Sequence, residues 1–175
     1  MIKSYLLRPR FSSFDLSKCN YFTSTKTLID KSESETWFIN QFNKQYKLTI
    51  KRIVDGEAVY DEKIIDENLA TQMISKSKNN SVRKNIYSIE LPNISQKTRM
   101  EYYLGELRGL VIMSIHFKDK KEAENFKIPS YAVRDISNDS YYDFINLSKL
   151  TFEDIEKKEN FQRFYKPVQT QISKN

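Results

Sequence analysis

Glycine and proline are scarce in this chain, three and four among 175 residues. So few glycines leave no glycine-rich loop to cradle a phosphate and no dinucleotide fingerprint, which excludes P-loop and Rossmann chemistry. A lone cysteine, Cys19, excludes an internal disulfide framework and any multi-cysteine zinc site. The start, MIKSYLLRPRF, has no apolar run long enough for a signal peptide or membrane anchor. A cytoplasmic location with no membrane partner is therefore expected. His116 is the only histidine.

What remains is enough for a core. Hydrophobic residues make up 39% of the chain, and eleven Tyr with eleven Phe argue against disorder. The formal charge of +6, from 29 basic and 23 acidic side chains, favours anionic partners. The excess is spread along the chain, as background composition would spread it, so it does not outline a nucleic-acid footprint.

Along the chain, residues 1–8 read as a first strand, FSSFDLSKCN as loop and YFTSTKTLI as strand. TWFINQF and YKLTIKRI read as a hairpin around Asn43-Lys44, and AVYDEKII pairs with it. DENLATQMISKS predicts a helix with Asp66 as N-cap and Leu69, Met73 and Ile74 on its apolar face. SVRKNIYSIEL and TRMEYYL form the next strand pair across Pro92-Asn93, and Gly105 and Gly109 bracket a turn into LVIMSIHF. In that strand Val111, Met113, Ile115 and Phe117 share one face, Ile112, Ser114 and His116 the other. KDKKEAENF opens with the D-x-x-E pattern of a capped helix, Asp119 to Glu122. PSYAVRDISNDS reads as loop, YYDFINLSKL as a short helix, and TFEDIEKKENFQRFYKP as a helix capped by Thr151 and Asp154. About eight strands and three or four helices give an α+β chain, an antiparallel sheet or closed barrel with flanking helices.

YYLGELRGLVIMSIHFKDKKEAENFKIPSYAVRDISNDSYYDFINLSKL resembles the signature run of the CYTH, or triphosphate tunnel, superfamily of class IV adenylyl cyclases, thiamine triphosphatases and inorganic triphosphatases. Its elements here are Glu101-Tyr102-Tyr103, Gly105, Gly109-Leu110, Ser114-Ile115-His116-Phe117, Glu122-Ala123-Glu124-Asn125-Phe126, Pro129, Asp135-Ile136-Ser137, Asp139 and Tyr142. YKLTIKR resembles the family's yxLTxK strand. The similarity spans residues 46–150 and is densest over 100–147. It implies an eight-stranded closed antiparallel tunnel over residues 1–150, with 151–175 a C-terminal helix and frayed tail packed on the same domain. In the family, carboxylates on the inner wall hold a divalent metal while Lys and Arg grip a triphosphate.

This chain departs from that pattern. Where the resemblance expects two glutamates at the end of LVIMSIHF, Ser114 and His116 stand. The opening Glu-x-Glu-x-Lys aligns with Met1, Lys3 and Tyr5, and the Arg-x-Arg strand with Trp37 and Ile39. The next acidic pair keeps Glu62 but has Tyr60 as its neighbour; the Lys-x-Arg strand keeps Lys84 but has Ile86. The expected remnants are Lys51, Lys84, Glu62 and Glu101, with Asp135. The expected function is a non-catalytic binder of a phosphate-bearing ligand, a nucleotide or polyphosphate, on Lys51, Lys84, Trp37, Tyr103 and His116. No cofactor is required; Mg or Mn on Glu62 and Glu101 belongs to the enzyme alternative. That alternative is a triphosphatase, cyclase or other nucleotide enzyme with a rebuilt site, His116 acting as acid/base near Glu101 or Tyr103. A third reading is a scaffold for a protein or nucleic-acid partner.

Overall fold

The computed structural model describes residues 1–78 and 80–165; the tail read as frayed lies outside them. The strands are β1 (Ile2–Leu7), β2 (Tyr21–Lys31), β3 (Glu35–Phe42), β4 (Gln45–Val54), β5 (Glu57–Ile65), β6 (Ser81–Leu91), β7 (Ile94–Tyr103), β8 (Val111–His116) and β9 (Ala132–Asp135). The helices are α1 (Glu67–Ser75), α2 (Lys120–Asn125), α3 (Phe144–Leu147) and α4 (Phe152–Glu159).

All nine strands join one antiparallel sheet in the order β5-β4-β3-β2-β6-β7-β8-β1-β9. The α+β class stands, but the closed eight-stranded barrel is corrected: β5 and β9 end the sheet without pairing with each other. The ninth strand lies in the stretch read as loop, because four residues are too few to show an alternation. Its register against β1 shifts between Leu6 and Leu7, so it offers little edge for closure.

Both faces of the sheet are used. The outer face of β1, β6, β7 and β8 carries Tyr5, Leu7, Ile89, Met100, Met113 and Ile115 under Phe11, Phe117 and Ala123 of α2. On the outer face of β3–β5, Ile39 and Ile65 pack against Ala70 of α1, with Leu48, Met73 and Ile74 beside them. Leu69, expected on the apolar face of α1, is exposed, and Ala70 takes the buried position. On the opposite, inner face, Leu6, Val82, Tyr103 and Ile112 lie beneath Leu147, Phe152, Ile155 and Phe161 from the C-terminal segment.

The turns follow their sequences. Asn43 and Asn93 adopt positive φ at the expected hairpins, a conformation asparagine tolerates. Gly109 is required twice over. Its φ is +116°, and a Cβ there would meet the Phe152 ring at 2.7 Å. Thr151 and Asp154 form the reciprocal cap that starts α4.

Candidate functional site

Strand register fixes what the inner face presents, because cross-strand partners point to the same side. From β4 come Lys47, Thr49 and Lys51, opposite Asn40, Phe38 and Thr36 of β3 and Ile64, Glu62 and Tyr60 of β5. From β2 come Ser24 and Lys26, Lys26 opposite Asn40, and Ser24 opposite Lys84 of β6. Lys84 in turn faces Tyr103, and Glu101 faces Ile86 and Ile112.

Four lysines thus converge: Lys26, Lys47, Lys51 and Lys84. Two are matched, Lys47 by Glu62 at 3.1 Å and Lys84 by Glu101 at 2.9 Å. Glu101 also accepts a 3.2 Å hydrogen bond from the Tyr103 hydroxyl, whose pKa is raised by burial and by that carboxylate. Lys26 and Lys51 have no ion pair among the described residues. The Lys26 Nζ sits 4.0 Å from the Phe38 ring centre and 4.8 Å from that of Phe144 at the start of α3. Burial, then the charges of Lys84, Lys47 and Lys51, push its pKa down to about 8; Asp143 opposes them. Thr49, 2% exposed between Lys47 and Lys51, has no hydrogen-bond partner for its hydroxyl among the described residues. A buried hydroxyl left unpaired costs about 1–3 kcal/mol.

Of the residues singled out from sequence, Lys51, Lys84, Tyr103, Glu62 and Glu101 lie on this face. Trp37 does not. It pairs with Ile50 on the outer face, and its indole donates to Glu35 at 2.8 Å. Ile39 is likewise outside, beneath α1. The alignment of β3 is therefore corrected by one residue, with Phe38 and Asn40 facing inward; β1 shifts the same way, so Ile2, Ser4 and Leu6 face inward rather than Met1, Lys3 and Tyr5. Asp135 faces Tyr5 and accepts from Lys3 at 3.0 Å, outside the lysine group.

Ser114 pairs with Ser4, their hydroxyls 3.3 Å apart, and His116 stands exposed opposite Ile2. Glu101 faces Ile112, four residues before His116, and a strand rises about 3.3 Å per residue, so roughly 13 Å separates those rows. The acid/base arrangement of His116 with Glu101 or Tyr103 is corrected on that ground. Lys26, Lys47 and Thr49 were not singled out from sequence; their signal was alternation, Ser24-x-Lys26 and Lys47-x-Thr49-x-Lys51, on neighbouring strands.

Carboxylates are sparse here. Glu62 and Glu101 stand on β5 and β7 with four strands between them in the sheet order, each already held by a lysine. No group of three or more His, Cys, Asp and Glu gathers among the described residues.

No protein-family model matches the sequence, and no curated protein matches it significantly. Solved structures do. The chain is similar to the crystal structure of the inorganic triphosphatase NE1496 at 18% identity and a TM-score of 0.69, covering 85% of this chain and 93% of that one. A second NE1496 structure, described as a hypothetical protein, gives 18% identity and 0.70 over 86% and 98%.

Proposed function

The chain has the triphosphate tunnel, or CYTH, fold, and from that premise we propose that its inner face binds a phosphate-bearing small molecule without metal-dependent hydrolysis. The observation that carries this reading is the imbalance of charge. Four lysines meet two ion-paired carboxylates, both already neutralised, and Asp143, the third acid near Lys26, does not offset the burial and lysine charges that depress its pKa. A phosphate would relieve the repulsion that acts on Lys26 and give Thr49 a partner.

The description of NE1496 as an inorganic triphosphatase points to the ligand class. The residues do not fit the metal that the family's chemistry uses. Mg²⁺ and Mn²⁺ need several oxygen ligands, and two lysine-bound glutamates on separate strands do not make such a cage. The ligand's negative charge is met instead by fixed lysines.

Thermal unfolding with inorganic triphosphate, ATP and thiamine triphosphate, each with EDTA and with Mg²⁺ or Mn²⁺, tests the reading. A bound ligand at 100 times its Kd adds about 2.7 kcal/mol of stability, and the gain is expected to be undiminished in EDTA. Phosphate release that depends on the metal would restore the enzyme alternative. Absence of stabilisation by every anion would remove the binder.

A further inference from the structure

Lys26 differs from its three neighbours in kind. Lys47 and Lys84 are held by carboxylates, and Lys51 leans on the Tyr60 ring at 6.0 Å. Lys26 is clamped between two phenylalanine rings, from β3 and α3, with no ion pair among the described residues. The charged and titratable groups facing it are Lys84 from β6, with Glu101 behind it on β7, Lys47 and Lys51 from β4, with Glu62 behind on β5, and Asp143 ahead of α3. The inward positions of β3, Thr36, Phe38 and Asn40, bring no charge. Desolvation beside other cations is one of the arrangements that turn a lysine amine into a nucleophile.

We propose that Lys26 forms an imine with the aldehyde of a phosphorylated ligand whose phosphate is held by Lys47, Lys51 and Lys84. This rests on the binding reading above and names its ligand class. The Nζ lone pair adds to the carbonyl carbon to give a carbinolamine. The C–O bond then breaks, the oxygen leaves as water with both N–H hydrogens, and a C=N bond remains. Amine and aldehyde give imine and water, with no oxidant or reductant. The free-amine fraction supports the step: with its pKa at about 8 against an ordinary 10.5, Lys26 holds on the order of 10²-fold more free amine at neutral pH than a solvated lysine. The rings of Phe38 and Phe144 suit a planar aldehyde.

Pyridoxal 5′-phosphate is the probe. The full chain is incubated with it at pH 7.5, reduced with borohydride, and mapped by peptide mass spectrometry. Preferential labelling of Lys26 by about tenfold or more over any other lysine, blocked by inorganic triphosphate and weak with pyridoxal lacking the phosphate, is the expected result. Lys26→Arg, which keeps the cation but has no amine to condense, should fold with an unchanged melting profile and lose the adduct. Labelling spread over exposed lysines such as Lys120 and Lys121, while triphosphate still stabilises the protein, would overturn the imine and leave the anion site standing. Neither labelling nor stabilisation would overturn both.

Discussion

Two clusters of charge meet the inner side of the sheet, one where β9 joins the C-terminal segment and one across β2, β4 and β6. In the first, Arg134 donates to Glu159 and Asp139, each at 2.6 Å, and Lys158 lies 3.6 and 3.7 Å from the same acids. The Tyr142 hydroxyl donates to Glu159 at 2.7 Å. Burial would raise the Glu159 pKa, but Arg134 and Tyr142 hold it below the ordinary value. Two cations meet two carboxylates, and the capacity for further bonds is used up internally. In the second cluster, four cations face three carboxylates of which only Glu62 and Glu101 form ion pairs, and Lys26 is driven toward neutrality by burial and by its lysine neighbours. Burial of charge is common to both; only the second lacks counter-charge. That lack, rather than perturbation itself, separates the proposed binding surface from a latch.

The contrast predicts opposite responses to mutation. Glu159→Ala should strand Arg134 and the Tyr142 hydroxyl and loosen α4 from β9. Removing one partner of a largely buried pair costs about 3–5 kcal/mol, and the partial exposure of Arg134, 35%, lowers the expectation to about 2–4 kcal/mol. Urea unfolding measures it, and a loss below about 0.5 kcal/mol would mean that the cluster is not a latch. Lys51→Met should do the reverse, leaving stability nearly unchanged while removing a charge-assisted contact of about 1.5–3 kcal/mol from the anion. Titration with inorganic triphosphate should then show a roughly tenfold or larger rise in Kd, steepest at low salt.

Lys26 sharpens the comparison through pH. Its folded-state pKa, about 8, lies below the ordinary 10.5, so between those values the unfolded chain binds the extra proton. Stability from this group therefore rises with pH across that window and is lowest below it. Lys26→Met should remove the dependence and stabilise the unliganded protein at pH 7 by about 1–2 kcal/mol, after allowance for solvent screening. Denaturant midpoints at pH 7 and 9.5 give the test; a variant less stable than the parent at pH 7 would show that the rings of Phe38 and Phe144 hold a comfortable cation.

The parts of this fold that were legible in the sequence share a physical trait. β4 and the far end of β8 set polar groups against an apolar face, so alternation put Ser114 and His116 opposite Met113 and Ile115, while Lys51, Lys84 and Glu101 came from the resemblance to the family's strands. β1 and β3 defeated that reading because both faces are packed. Tyr5 and Leu7 go under α2 while Leu6 goes under the C-terminal helices, and Ile39 is covered by α1 while Phe38 meets Phe144. A strand buried on both sides has no alternation, and a one-residue slip turns every side chain over. The lysine cluster was only half visible for a different reason. Lys26 and Lys47 are far apart in the chain and come together only because β3 lies between β2 and β4, with Asn40 as the shared partner.

His116 provides the smallest expected effect and the strictest control. A lone histidine at the end of a strand that should carry glutamates invites a catalytic role. Yet the ring is exposed, sits opposite Ile2, and lies rows away from Glu101 and Tyr103. Nothing in the lysine cluster depends on it. His116→Ala should leave stability within about 0.5 kcal/mol and should leave the Kd for triphosphate and the labelling of Lys26 unchanged across pH 6 to 8. A change in either would show that a ligand spans the inner face as far as β8, and the site would have to be redrawn to include Ser4, Ser114 and the serine-lined end of the sheet.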